Sequence, residues 1–217
     1  MRLALLAVAS ILAAGTIPLF ADDIPYPNGG QLAPAHIFTA SVTGSLIGYF
    51  AGSEAGGNDT IELWDTTQNT FSGFLIPNHS STVGVPTTFL SVNAGDNLVF
   101  IISNDSAGLI DDSVDNGGIP TAFSADGYNH AYSTPYTGGI AGLPAGLTGT
   151  YVGMEDLAVT GLNPLAGSDL DYNDDTFVFI DVTVTAPTAS TPEPSTFLLL
   201  GTGLVGIAAM LRPKLNR

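Results

Sequence analysis

The chain of 217 residues has no cysteine, and its body has no cationic side chain. Without cysteine, disulfide bonds and thiol catalysis are excluded, so stability must come from packing, hydrogen bonds or bound ions. The four basic residues stand near the two ends of the chain: Arg2, Arg212, Lys214 and Arg217. The twenty Asp and Glu residues extend from Asp22 to Glu193. Such an acidic surface repels phosphates and anionic lipid headgroups, which excludes nucleic-acid binding and suits calcium-containing surroundings.

Near the N-terminus, the pattern is that of a secretory signal peptide. A short positive start precedes an apolar run, Leu3–Ala14, and small residues follow it. This layout predicts a signal peptide over residues 1–21, cleaved by signal peptidase after Ala21, with Gly15 as the alternative position. The other interpretation is an N-terminal membrane anchor, but the apolar run is short for spanning a bilayer.

A second apolar segment, Phe197–Leu211, is followed by the basic tail RPKLNR. As a helix it spans roughly 22 Å, which is short of a hydrocarbon core of about 30 Å. A membrane helix within residues 195–217 reaches a marginal span if Arg212 snorkels to the interface. The alternative is a buried core helix, but an all-round apolar helix with three glycines and a basic tail favours the membrane.

Immediately before this segment the chain reads Pro192-Glu193-Pro194, at the end of a Pro/Thr/Ser-rich linker over residues 186–194. The order of Pro-Glu-Pro, apolar helix and basic tail resembles the PEP-CTERM sorting signal of exported bacterial proteins. The resemblance implies that an exosortase cleaves near Pro192, Glu193 and Pro194 after the helix has anchored the protein transiently in the inner membrane. It also implies a final location at the cell surface or outside the cell, in association with exopolysaccharide.

Residues 22–185 have the size of one domain that can bury a core. Turn signals separate short runs rich in Val, Ile, Phe, Tyr and Thr, and no stretch has a sustained helical period. The predicted fold is all-β, an antiparallel, jelly-roll-like β-sandwich of about eight strands, with a hairpin at Gly44-Ser45. Strands are predicted at His36–Thr43, Leu46–Ala51, Thr60–Trp64, Phe71–Ile76, Thr87–Val92, Asn97–Ser103 and Thr176–Thr185. In the last strand, alternation places four residues on one face: Val178, Ile180, Val182 and Val184.

The local pattern that carries chemistry is the acidic loop GSDLDYNDD, residues 167–175, just before the last predicted strand. Asp169, Asp171 and Asn173 alternate, as in loops whose side-chain oxygens converge on one hard cation. Two unit charges about 4 Å apart repel by about 1 kcal/mol in water and by about 4 kcal/mol at an effective dielectric constant of about 20. Converging carboxylates without Lys or Arg therefore need solvation or a metal, and oxygen ligands favour Ca²⁺. Because Asp174 stands where an EF-hand needs glycine, a solvated acidic turn is the alternative.

A second resemblance rests on VGMEDL (Val152–Leu157) and DLDYNDDTFVF (Asp169–Phe179). Together with DGYNHAY (Asp126–Tyr132), they resemble a family of exported bacterial domains of unknown function with a GFEDL…DxDYND signature. Met154 replaces the usual aromatic residue, and an insert, Ala158–Ala166, separates the two halves. The family brings no established activity. The resemblance implies calcium binding by acidic residues, here Glu155, Asp156, Asp169, Asp171, Asn173 and Asp174.

Other chemistry finds little support. A second acidic loop, Asp105–Gly118, fits no ligand spacing and is predicted to be solvated. Zinc is not indicated, because the three histidines are isolated in the chain: His36, His79 and His130. Of these, His130 is predicted to make a local hydrogen bond. Adjacent residues of a strand face opposite ways, so Glu155 and Asp156 are not expected to be a glycosidase acid/base pair.

The sequence therefore predicts an exported, calcium-stabilised β-sandwich with a structural or adhesive role and no enzymatic activity. Two other functions stay open, since the same fold, ion and export route serve them equally well. One is a carbohydrate-binding module, which exposed coplanar aromatic side chains would favour. The other is a glycan-active enzyme.

Overall fold

The computed structural model describes residues 24–105, 109–112, 128–157 and 168–185. Its regular structure within these ranges is all β, as predicted, in two antiparallel sheets. The strands are β1 (Ile37–Ala40), β2 (Gly44–Ser53), β3 (Asp59–Asp65), β4 (Thr70–Phe71), β5 (Pro86–Val92), β6 (Asn97–Asn104), β7 (Leu109–Asp112), β8 (Ala131–Tyr136), β9 (Gly149–Met154), β10 (Asp175–Ile180) and β11 (Val182–Thr185). The predicted signal peptide (1–21), the linker (186–194) and the C-terminal helix (195–217) lie outside the described residues. Within the described ranges, no helix has the length and apolarity to cross a membrane.

The main core lies between the two sheets. The first sheet has the order β11-β1-β6-β3-β4, with β7 also paired to β6, and the second has the order β5-β2-β10-β9-β8. Both contribute buried side chains to one cluster: Phe38, Ile61, Leu63, Phe100 and Ile102 from the first sheet, and Leu46, Phe50, Phe89, Phe177 and Phe179 from the second. The rings of Phe100 and Phe179 meet with centroids 4.7 Å apart, so the sheets pack face to face as in a sandwich.

Two local predictions in the N-terminal half of the chain are wrong. The hairpin at Gly44-Ser45 does not form, because β1 pairs with β6 and β11 in the first sheet whereas β2 pairs with β5 and β10 in the second. The predicted strand Phe71–Ile76 shrinks to β4, since Gly73 and Ile76 both adopt positive φ angles, of 73° and 53°. Left-handed backbone cannot continue a ladder.

The predicted last strand, Thr176–Thr185, is two strands. Asp181 adopts a φ of 64°, and the chain leaves β10 in the second sheet to enter β11 in the first. This turn shifts the alternation, so that Phe177, Phe179 and Val182 all face the main core. Val178 packs on the opposite side of its sheet, in another cluster. The predicted common face of Val178 and Val182 is therefore wrong.

Strands β8 and β9, which the sequence patterns did not predict, bring the acidic segments together. In the register of the second sheet, Asp175 at the start of β10 lies opposite Met154 at the end of β9. Because the two strands are antiparallel, the residues that follow Met154 and those that precede Asp175 meet at one end of the sheet. Glu155 and Asp156 therefore lie beside the loop of residues 168–174.

Candidate metal centre

In the loop of residues 168–174, every second residue from Leu170 to Tyr172 has a left-handed backbone conformation. Leu170 and Tyr172 adopt φ angles of 57° and 59°, in the left-handed region that non-glycine residues rarely enter. Their side chains are buried, whereas Asp169 is exposed and Asp171 is half-buried. The alternation therefore sends the apolar side chains inward and the acidic ones outward, along a tightly curled segment.

Glu155, the first residue after β9, holds this loop. Its side chain is 1% exposed, and its carboxylate accepts the backbone N–H of Tyr172 at 2.6 Å and the hydroxyl of Ser168. Burial raises the pKa of Glu155 to about 7, and the charges of Asp174 and Asp169 add to the rise. Desolvation disfavours the charged carboxylate, and a nearby cation would reverse that preference.

Three carboxylates converge at the loop. One oxygen from each of Glu155, Asp169 and Asp171 lies within 4.8 Å of the others. The pKa of Asp171 is raised by burial and by the charge of Asp169. Its carboxylate accepts the backbone N–H of Asn173 at 3.3 Å and the Asn173 amide at 2.9 Å. We call Glu155, Asp169 and Asp171 the loop site.

Residues behind the loop keep it in place. The Tyr172 hydroxyl accepts the backbone N–H of Ala33 at 2.7 Å and donates to the carbonyl of Asn129 at 3.2 Å. His130 makes a hydrogen bond, but not the local one that was predicted: its Nδ1 lies 3.1 Å from the carbonyl oxygen of Glu155, 25 residues further along the chain. The segment around His130 therefore helps to position the loop site through its hydrogen bonds to Glu155 and Tyr172.

Two further residues of the predicted ligand set, Asp156 and Asp174, belong to a second group of acidic side chains beside the loop site. The Asp156 backbone N–H donates to Oδ2 of Asp174 at 2.9 Å, and the Asn104 amide donates to Oδ2 of Asp156 at 2.7 Å. Asp59 and Asp175, which the sequence patterns missed, adjoin this group: Asp59 is the cross-strand partner of Asn104, and Asp175 lies opposite Met154, two residues before Asp156. We call Asp59, Asp156, Asp174 and Asp175 the inter-sheet cluster.

The sequence feature that could have indicated Asp59 and Asp175 is their position in the inward–outward alternation of a strand. Each opens a strand and has the same alternation as buried apolar residues: Ile61 and Leu63 after Asp59, Phe177 and Phe179 after Asp175. A carboxylate on the core-facing side of a strand needs a partner. The spacing of residues within the acidic loop does not reveal this partner, since Asp59 lies in the other sheet.

The electrostatic setting fits a hard cation. No Lys or Arg occurs between Arg2 and Arg212, so the described residues contain no fixed positive side chain to balance these groups. Burial raises the pKa of Asp156 to about 6 and of Asp174 to about 7, and the repulsion between neighbouring carboxylates contributes to both shifts. The donors are all oxygen, which suits Ca²⁺ and disfavours soft transition metals.

Comparison with known proteins identifies the C-terminal segment. Residues 190–212 match the family model of the PEP-CTERM protein-sorting motif. The motif implies an exported protein that is anchored transiently in the membrane and processed by an exosortase, and the matched range includes Pro192, Glu193 and Pro194. No curated protein and no solved structure matched the chain. The likeness to the GFEDL…DxDYND family stays an interpretation of its motifs.

Proposed function

We propose that the chain is a calcium-stabilised β-sandwich of the cell surface or extracellular matrix. Its role is structural or adhesive, in association with exopolysaccharide, and it is not an enzyme. The observation that carries the calcium part is the convergence of Glu155, Asp169 and Asp171 in a body without Lys or Arg. Export and sorting by an exosortase follow from the motif at residues 190–212.

The spacing of the loop site suits one calcium ion. Calcium–oxygen distances are about 2.4 Å, so two ligands on opposite sides of the same ion lie about 4.8 Å apart. The three carboxylate oxygens are all within 4.8 Å of one another, which lets them share one ion. Glu155, Asp169 and Asp171 would supply the carboxylates, while the hydrogen bonds of Asn173 orient Asp171. Bound calcium would supply the counter-charge that the chain itself lacks.

A thermal unfolding experiment tests this function. Adding calcium at about 100 times its dissociation constant to chelator-treated protein stabilises the native state by about 2.7 kcal/mol. For a domain of this size that corresponds to roughly 5–10 °C in melting temperature. Asp171→Asn should remove the part of the shift that the loop site contributes. Asp181→Asn, the same substitution at an exposed turn between β10 and β11, should retain it.

Two outcomes would contradict the proposal. The first is an equal shift with sodium chloride at matched ionic strength, which would indicate charge screening. The second is an equal loss of the shift in Asp171→Asn and Asp181→Asn, which would indicate a diffuse effect of acidic charge.

Carbohydrate binding is the second candidate, favoured by an aromatic pair on the first sheet. Trp64 and Phe71 are cross-strand partners whose rings stack with centroids 5.3 Å apart and an interplanar angle of 5°. Phe71 is 42% exposed, and Phe74 nearby in sequence is 44% exposed. Flat exposed rings are suited to stacking on sugar rings.

A glycan-array screen tests this second candidate. We expect Phe71→Ala to lose any glycan that the wild-type chain captures, because the stacking surface is removed. Val85→Ala, which truncates another exposed apolar residue, should keep the same glycan. Wild-type protein that captures no glycan, with calcium or with chelator, would exclude the binding function.

A further inference from the structure

Two buried carboxylates face the interior of the sandwich from opposite sheets. Asp59 belongs to the face of β3 that places Ile61 and Leu63 in the main core. Asp175 belongs to the face of β10 that places Phe177 and Phe179 in the same core. Both are 0% exposed. Asp175 is the cross-strand partner of Ser53, and the Asn78 amide donates both to Oγ of Ser53 at 3.3 Å and to Oδ2 of Asp59 at 3.1 Å. The two carboxylates therefore occupy the same end of the space between the sheets.

These carboxylates lack the hydrogen bonds that burial demands. Both carboxylate oxygens of Asp175 and Oδ1 of Asp59 are buried without a hydrogen-bond partner among the described residues. Oδ2 of Asp59 accepts the Asn78 amide at 3.1 Å. Buried polar atoms in folded proteins nearly always have a partner, and an exception calls for an ion, a water or a proton.

The opposite end of β3 provides an internal comparison. Asp65 is also 0% exposed and shares the inward-facing side of the strand. Its Oδ1 accepts the backbone N–H groups of Thr67 and Gln68, both at 2.9 Å, and its Oδ2 accepts the Gln68 amide at 2.9 Å. This fold therefore satisfies a buried aspartate with its own groups at one end and leaves two unsatisfied at the other.

Two more carboxyl groups adjoin the unsatisfied pair. The Asp156 backbone N–H donates to Oδ2 of Asp174 at 2.9 Å. The amide of Asn104, which is the cross-strand partner of Asp59, donates to Oδ2 of Asp156 at 2.7 Å. Burial, followed by the charges of Asp59, Asp174 and Asp156, raises the pKa of Asp175 to about 9. Four acidic groups thus adjoin amide donors, in a body of the chain that has no Lys or Arg.

We propose that Asp59, Asp156, Asp174 and Asp175 form a second divalent-cation site, between the two sheets, that binds Ca²⁺. An ion there supplies the partner that the oxygens of Asp175 and Asp59 lack, and it joins the sheets at a point where apolar packing ends. The site shares no residue with the loop site and does not rest on the proposed function. Oxygen-only ligands and the absence of nitrogen or sulfur donors select a hard cation.

Calcium stoichiometry of the full chain tests this inference. Equilibrium dialysis with radioactive calcium should find two ions per wild-type chain and two in Asp181→Asn. Asp175→Asn and Asp59→Asn should each retain one ion, and Asp171→Asn should retain the other. Both inter-sheet variants should also melt at a higher temperature than wild type in chelator at neutral pH, because folding no longer has to protonate a buried carboxyl group. This second measurement does not depend on calcium binding.

The possible failures of the two sites are distinguishable. One ion per wild-type chain that only Asp171→Asn removes would overturn the inter-sheet site and leave the loop site intact. Two ions retained in both Asp175→Asn and Asp59→Asn would overturn it as well. One ion that Asp175→Asn removes and Asp171→Asn retains would support the inter-sheet site and refute the loop site.

Discussion

The carboxylate of Glu155 accepts the backbone N–H of Tyr172 at 2.6 Å and so ties the end of β9 to the acidic loop. The same side chain places an oxygen within 4.8 Å of oxygens from Asp169 and Asp171. Glu155 thus has two separable properties, because its shape holds the loop and its charge would attract the proposed cation. Substitutions that change one property at a time can separate them.

Glu155→Gln should preserve the conformation of the loop and weaken calcium binding. Glutamine retains an acceptor oxygen for the Tyr172 N–H but has no charge, so the part of the calcium-induced rise in melting temperature that the loop site contributes should disappear. The metal-free stability should stay within about 1 kcal/mol of wild type. Glu155→Ala removes the acceptor too and should cost about 2–3 kcal/mol without metal. Urea unfolding with chelator and with calcium measures both, and equal metal-free losses in the two variants would contradict the separation of roles.

The stability of the metal-free protein should fall as pH rises. The pKa values of Glu155 and Asp174 are raised to about 7 in the folded state from ordinary values of 4.5 and 3.8, so folding takes up protons. Their contribution is complete below about pH 4 and is lost as pH rises through about 7. The free energy of unfolding in chelator should therefore be higher at pH 5 than at pH 8, by on the order of a few kcal/mol.

Calcium should reverse this trend, since the ion replaces the protons on the same carboxylates. The calcium-induced stabilisation should be small at pH 5 and larger at pH 8. A calcium effect that does not change over this range would show that the ion binds elsewhere.

Gly153→Ala should displace the acidic loop. A Cβ at this position of β9 would strike the carbonyl oxygen of Tyr172, which is backbone and has little room to move. We expect a loss of about 2 kcal/mol or more and a much weaker calcium response. Gly56→Ala is the matched control, because a Cβ there meets nothing within 4 Å. Calorimetry with and without calcium provides the measurement, and equal effects of the two substitutions would contradict the close packing of β9 against the loop.

Sorting should remove the C-terminal segment. Mass spectrometry of protein released by exosortase-containing cells should detect no peptide beyond Ser195, because the motif at residues 190–212 includes the Pro-Glu-Pro processing site. Glu193→Ala should accumulate in the membrane fraction, whereas Thr188→Ala in the preceding linker should be released normally. Released protein that still carries the RPKLNR tail would refute processing at this site.

The loop site was within reach of sequence reasoning because its information is local. Alternating oxygens at Asp169 and Asp171, and a second acidic motif at Glu155, indicate a shared ion without knowledge of the sheets. The separation of the predicted ligands into the loop site and the inter-sheet cluster could not be predicted from local sequence patterns. Asp156 adjoins Glu155 in the chain, yet its side chain turns to the inter-sheet cluster, since successive side chains point in different directions.

The amino-acid sequence alone determined the all-β class, the acidic body without internal counter-charge and the sorting motif at residues 190–212. Those properties depend on composition, on a period of two and on contiguous residues, which need no partner elsewhere in the chain. Only the tertiary structure decided that Asp59 and Asp175 meet, because they belong to different sheets and to distant parts of the sequence. The left-handed turn at Asp181 likewise changed which residues of the last predicted strand face the core. Pairing and packing between distant strands determine both results, and no local pattern encodes them.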